Sequence, residues 1–185
     1  MARNTFTRSL HDLGLSAWFG GTLANAVALN PAAAEAGDNS ASGRVANTGW
    51  DRWTPVNAVA IGAHLIGSVG QLQANSGRIQ AQEGVAAMVV VKTALTAAAL
   101  GATAYSRALG KKVSQQHDVP TDSGTNPSFQ TPPDVAKAQT QLKALQWVIP
   151  ALTGALVVVT SYAGEQQRPS EVKKGIGGRL GALIG

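Results

Sequence analysis

Four apolar stretches of membrane-crossing length constrain this chain more than any other feature. A hydrocarbon core of about 30 Å takes roughly 20 mostly apolar residues in a helix, and inside it every backbone N–H and C=O must be satisfied within the protein. Stretches at 10–29, 56–74, 85–109 and 145–163 meet or approach that length. They predict an all-α fold: a polytopic four-transmembrane-helix bundle, one membrane domain over residues 1–185, with both chain ends on the same side of the bilayer.

Charge agrees with this reading. Charged residues make up 14% of the chain, against about 25% in an ordinary soluble domain. Mean hydropathy is only +0.02 because Ala- and Gly-rich helices are averaged with long polar loops. The net charge of +5 comes from basic residues that flank the apolar runs. That placement suits anionic headgroups, and without a basic stripe interleaved with aromatics no nucleic-acid partner is expected. The chain has no Cys, which excludes thiolate metal sites, iron–sulfur clusters, disulfides and thiol catalysis.

The first stretch also has the outline of a secretory signal. Arg3 and Arg8 precede it, and Asn30-Pro31-Ala32-Ala33-Ala34-Glu35-Ala36 follows with small residues suited to cleavage. The stretch is long for a signal core and carries Trp18 and a Gly20–Gly21 pair, so a retained helix is expected; cleavage would leave three spans. Residues 30–55, rich in Gly, Asn, Ser and Ala, read as a loop. The turn at 75–84 makes the second and third helices antiparallel neighbours. Residues 114–133 read as a mobile loop, with His117 solvated in it. Thr131-Pro132-Pro133-Asp134 then starts a helix, with Thr as the cap, that runs through Trp147 and Pro150 into the membrane. In the basic tail at 165–185, Val172, Ile176, Leu180 and Leu183 share a helical face, while its glycines favour disorder; a surface helix and a disordered tail both fit. Trp50, Trp53 and Trp147 are expected as anchors at the headgroup level. Basic residues are equally divided between the two sides, and Arg3 and Arg8 beside the first helix favour cytoplasmic termini in a multi-pass cell-membrane protein.

Small residues spaced by four let helix backbones approach in a medium where burying Leu gives no advantage. Gly20, Ala24 and Ala28 form one such stripe, Ala63 and Gly67 a second, and Ala94, Ala98 and Ala102 a third. Ionisable groups inside a bilayer are costly and so are functional candidates. Three stand out: His11, His64 and Lys92. Neutral imidazole ligates haem iron or copper. At about 1.5 Å per residue, His64 lies at the level of Trp18 and His11 roughly 10 Å nearer the terminal side, so the two histidines and Lys92 would form a polar track, and a haem held by both histidines would be out of level. Met88 offers a softer partner for one His. No nucleophile elbow, phosphate loop or zinc-protease signature is present, and no enzymatic activity is expected.

Leu10-His11, six residues, then Trp18-Phe19-Gly20-Gly21 resembles the opening helix of small bacterial four-helix membrane proteins of the copper-resistance-D type and related families. The resemblance covers about twenty residues and the four-span layout. It implies a copper or haem role for His11 and, with it, His64, although this chain has only two Met and three His. The residues themselves favour a non-enzymatic accessory subunit that associates through its helices with another membrane protein or with itself. Haem or copper binding is the alternative, and a transport path lined by Lys92 and His64 a third.

Overall fold

A computed structural model describes residues 4–82, 84–115, 119–168, 170 and 172–176. They are helical throughout, apart from turns and one isolated bridge between Thr121 and Pro127. Helix α1 (Thr5–Ala24) passes through a π turn (Asn25–Leu29) into α2 (Asn30–Ala34). Pro31 removes the N–H that would bond the Val27 carbonyl, and the π turn takes up the resulting change of register. Helix α3 runs from Asn39 to Ala74, α4 is a short turn of helix (Ser76–Ala81), α5 spans Val85–Ser114 and α6 spans Pro133–Glu165.

The expected loop at 30–55 is mostly helix. Asp38 caps α3, its Oδ1 accepting from the Ala41 N–H at 2.6 Å, and the helix then runs on through Pro55. Helix α6 starts where the double proline places it, but Thr131 is not its cap. The Thr131 hydroxyl bonds the Pro120 carbonyl and accepts from the Ser128 N–H at 2.8 Å, and Pro132 occupies the cap position. The segment expected to be mobile is tied down where it is described. Thr121, Ser123, Thr125 and Thr131 are buried, and the Thr121 N–H donates to the Asn39 carbonyl at 3.0 Å. His117, and Arg179, Leu180 and Leu183 of the tail, lie outside the described residues.

The four long helices alternate in direction. Thr7 lies against Gly70 and Leu29 against Gly49, so α1 and α3 are antiparallel. Arg8 lies beside Gly164, and the Asn30 side chain donates to Gln146 at 2.8 Å, so α1 is also antiparallel to α6. Tyr105 donates to Gln141 at 2.9 Å and Lys112 pairs with Asp134 at 3.7 Å, which aligns α5 against α6. α1 packs along α3 and α6, and α5 along α6, whereas α3 and α5 barely touch. The fourth side of the bundle is therefore a seam.

Polar side chains share the interior of the bundle with apolar ones such as Leu15, Trp18, Ile149 and Leu156, and large apolar side chains face outward. His11, Thr22, Asn30, Ser42, Asn57, His64, Gln139 and Thr153 are buried. Val59, Ile66, Val90 and Val158 are 63–73% exposed. An apolar cluster of Val113, Val135 and Ala138, flanked by Leu109, Val119 and Leu142, closes the end away from the N-terminus. Two of the helices, α5 and α6, are long and apolar enough to cross a membrane.

Candidate functional site

The site is built on α1 at one-turn intervals: His11, Gly14, Trp18. His64 of α3 sits opposite Gly14, where a Cβ would fall on the Ala60 carbonyl and the His64 backbone nitrogen. One turn towards the N-terminus, Gly67 has the same function, since a Cβ there would meet the backbone of His11 and Thr7. The two glycines let the backbones approach until the imidazoles meet. The rings of His11 and His64 lie 4.6 Å apart, centre to centre, tilted by 47°. Trp18 flanks His64 from the other side, with ring centres 6.0 Å apart.

The level difference expected between the two histidines is thus not a separation. His64 stands midway between His11 and Trp18, about one 5.4 Å turn from each along the axis, and side-chain reach covers the rest. Both imidazoles are fully buried. His11 Nδ1 donates to the Asp12 carboxylate at 2.8 Å, and His64 Nε2 hydrogen-bonds Thr96 Oγ1 of α5 at 3.4 Å. The remaining nitrogens, His11 Nε2 and His64 Nδ1, are buried without a hydrogen-bond partner. A buried polar atom left unpaired costs about 1–3 kcal/mol, so the two adjoining nitrogens are candidates to hold a ligand. Trp18 closes the pocket, donating through Nε1 to Thr103 Oγ1 at 3.2 Å. Lys92 is half-buried and within electrostatic reach of His11, His64 and Asp12. The expected polar track is therefore contracted into one cluster. Met88 is outside it, in the wall of a cavity between α3 and α5 that Lys92 and Thr96 also line.

The ring spacing decides which group fits. With metal–nitrogen bonds of about 2.0–2.1 Å, imidazoles on opposite faces of one iron have ring centres roughly 6 Å apart, and adjacent ligands of one ion roughly 4.5–5 Å. At 4.6 Å the two rings leave no room for a porphyrin between them, so the haem expectation for the pair does not fit. The spacing falls in the range for adjacent ligands of one ion. Among the described residues no cluster of three or more His, Cys, Asp or Glu is placed to hold a metal, so two imidazoles would be the whole protein donor set.

Two of the expected headgroup anchors, Trp50 and Trp53, are half-buried. Trp50 Nε1 donates to Asn30 Oδ1 at 3.0 Å, and the Trp53 indole fills the space beside Gly21 that a side chain would occupy. Both turn inward because α3 extends back past them and presents that face to α1. Trp147 is 51% exposed on α6, an orientation compatible with an anchor. Sequence reasoning missed Asn30. It is buried, accepts from Trp50, donates to Gln146, and joins the π turn to α3 and α6. Its only outward sign was its place before Pro31, in a stretch that also read as a cleavage region. Comparison with family models, with curated proteins and with solved structures finds no match for this chain.

Proposed function

We propose that the chain is a four-span, non-enzymatic integral membrane protein that binds one transition-metal ion, copper foremost, through His11 and His64. The carrying observation is the buried imidazole pair, in which one nitrogen of each ring is anchored and the other unpaired. Anchoring of the far nitrogen by a carboxylate or hydroxyl is how ligating histidines are oriented and made more basic. Imidazole suits copper, zinc, nickel and iron, and affinity peaks at copper in the divalent series. A copper or haem role is also what the first-helix resemblance implies. Asp12 offsets the like charge of Lys92 beside the pair, and the coordination positions left over are open to an outside ligand. The four-span reading is supported by the large apolar side chains on the outer face of the bundle. Exposed Val and Ile with buried His and Asn suit a hydrocarbon surround and would be unfavourable in water.

The test is copper titration of the purified protein in detergent, read by competition with a chelator. About one ion per chain is expected. His11→Ala and His64→Ala should each weaken binding by more than the roughly 10–100-fold that loss of an outer-shell partner costs, and His117→Ala should not. Wild-type affinity in the His11→Ala/His64→Ala double variant would end the metal reading.

The accessory-subunit reading is favoured by a separate observation. Gly20, Ala24 and Ala28 all face outward, and Gly20 has nothing within 4 Å of its Cβ position. A close-approach stripe unused within the chain is available to a helix of another protein or of a second copy. Crosslinking in native membranes, lost on Ala24→Ile, is the expected result. A monomer that crosslinks to nothing would retire this reading.

A further inference from the structure

The seam between α3 and α5 holds a cavity of about 580 Å³ at the end nearer the N-terminus. Its walls are largely apolar, with Leu65, Val69, Leu72 and Val89 among them. Its polar lining includes Arg78, Lys92 and the Gln71 amide, with no Asp or Glu among the described lining residues. Arg78 stands at the turn, held by neutral acceptors: its Nη1 donates to Asn75 Oδ1 at 3.1 Å, and its Nη2 to Gln82 Oε1 at 2.8 Å and to the Gln166 carbonyl at 3.0 Å. Lys92 lines the same cavity two turns into α5. Asp12, whose charge it senses, accepts from His11. Gln71 Nε2, also in the wall, is buried without a partner. Two cations and an orphaned amide donor thus face one apolar cavity. Beyond Leu100 the seam continues into a second cavity of about 290 Å³. From Lys92 to Ala104, in the wall of that second cavity, α5 rises roughly 18 Å.

We propose that the α3–α5 seam binds a single-chain fatty carboxylate, its headgroup held by Lys92, Arg78 and Gln71 and its chain laid along the seam past Leu100. The head requires an anion that accepts several hydrogen bonds, and Arg78 and Lys92 supply charge-assisted donors. The volume lies in the range of about 300–1,000 Å³ usual for one small ligand, which suits one acyl chain and not the two of a diacyl lipid. Few contacts join α3 to α5, so the chain has a lateral way in from the bilayer. The site lies beside the imidazole pair and shares Lys92 and Thr96 with it as neighbours.

The test uses the full-length protein in a non-ionic detergent, with the fluorescent fatty acid cis-parinaric acid as probe. Saturable binding of about one per chain is expected, displaced by oleate. Oleyl alcohol, which lacks the charge, should compete about tenfold or more weakly, as loss of hydrogen bonds to a charged group implies. Lys92→Gln and Arg78→Gln should each weaken oleate by a similar factor while leaving oleyl alcohol unchanged. The Arg78→Gln protein, altered at the turn away from the imidazole pair, should bind copper as the wild type does, so loss of oleate with retention of copper separates this site from the metal reading and also reports that the variant is folded. Equal competition by oleate and oleyl alcohol, wild-type oleate binding in both variants, or preferential displacement by dioleoylphosphatidylglycerol or inorganic phosphate would each overturn the proposal.

Discussion

At Gly67 the absence of a side chain allows two imidazoles to touch. A Cβ there would fall on the backbone of His11 and Thr7, and backbone cannot move aside as a flexible side chain can. Gly67→Ala is therefore expected to separate α1 from α3 at that level, costing about 1–3 kcal/mol as overpacking does. It should also weaken copper binding, since His11 moves with the backbone. Gly20→Ala is the contrasting case. Nothing lies within 4 Å of its Cβ position, and Ala is favoured over Gly inside a helix by about 0.5–1 kcal/mol. Denaturation midpoints in detergent should move in opposite directions for the two variants, and a Gly67→Ala protein as stable as the wild type would contradict the close approach. The sequence made His11, His64 and Lys92 legible as candidates, because charge in an apolar run stands out. It made Gly67 legible through its spacing from Ala63. It did not make Gly14 legible, nor that His64 would stand opposite it, because spacing along one helix says which residues share a face and not which face meets which neighbour. The level of His64 relative to His11 depends on the α1–α3 register, and that is set by contacts between residues about fifty apart.

The elements show the same division. The apolar runs at 85–109 and 145–163 lie inside α5 and α6, where long runs of one character leave little ambiguity. The start of α3 was hidden, because residues 39–55 have the small and polar composition of a loop while tertiary packing overrides that weak propensity. Ser42 and Ala46 are buried, and a Cβ at Gly124 would lie 3.0 Å from Ala46 Cβ. The backbone of the 119–125 segment bonds the first residue of α3, with Thr121 N–H to Asn39 O at 3.0 Å. The signal that was available is Asp38, whose carboxylate caps the helix at 2.6 Å. Asp38→Ala is expected to cost about 0.5–2 kcal/mol, with faster amide exchange confined to the first two turns of α3. Uniform acceleration along the whole helix would show that the cap does not hold this end. Asn30 ties the π turn to α3 and α6 through Trp50 and Gln146. Asn30→Ala should cost about 1–3 kcal/mol by leaving those buried groups unpaired, and should shift Trp emission as the Trp50 N–H loses its acceptor. An unchanged spectrum and midpoint would place the join elsewhere.

At the scale of the whole molecule, direction and polarity together specify a topology that can be read chemically. The four long helices alternate, so the 75–84 turn shares one end of the bundle with the N-terminal residues and the start of the tail. The 35–38 turn and the 119–132 segment share the other. If the exposed apolar side chains face a bilayer, these two ends face different aqueous compartments. The chain has no native Cys, so a single introduced thiol reports its side without background. Ser76 and Gln130 are exposed at opposite ends, and neither makes a bond that joins one helix to another. With cytoplasmic termini, as Arg3 and Arg8 favour, Gln130→Cys should react with a membrane-impermeant maleimide in intact cells, and Ser76→Cys only after permeabilisation. The reverse pattern would keep the four spans and invert the orientation. Equal labelling of both thiols from outside would mean that the ends of the bundle are not separated by a membrane, and the exposed valines and isoleucines of α3, α5 and α6 would then need a protein surface to cover them.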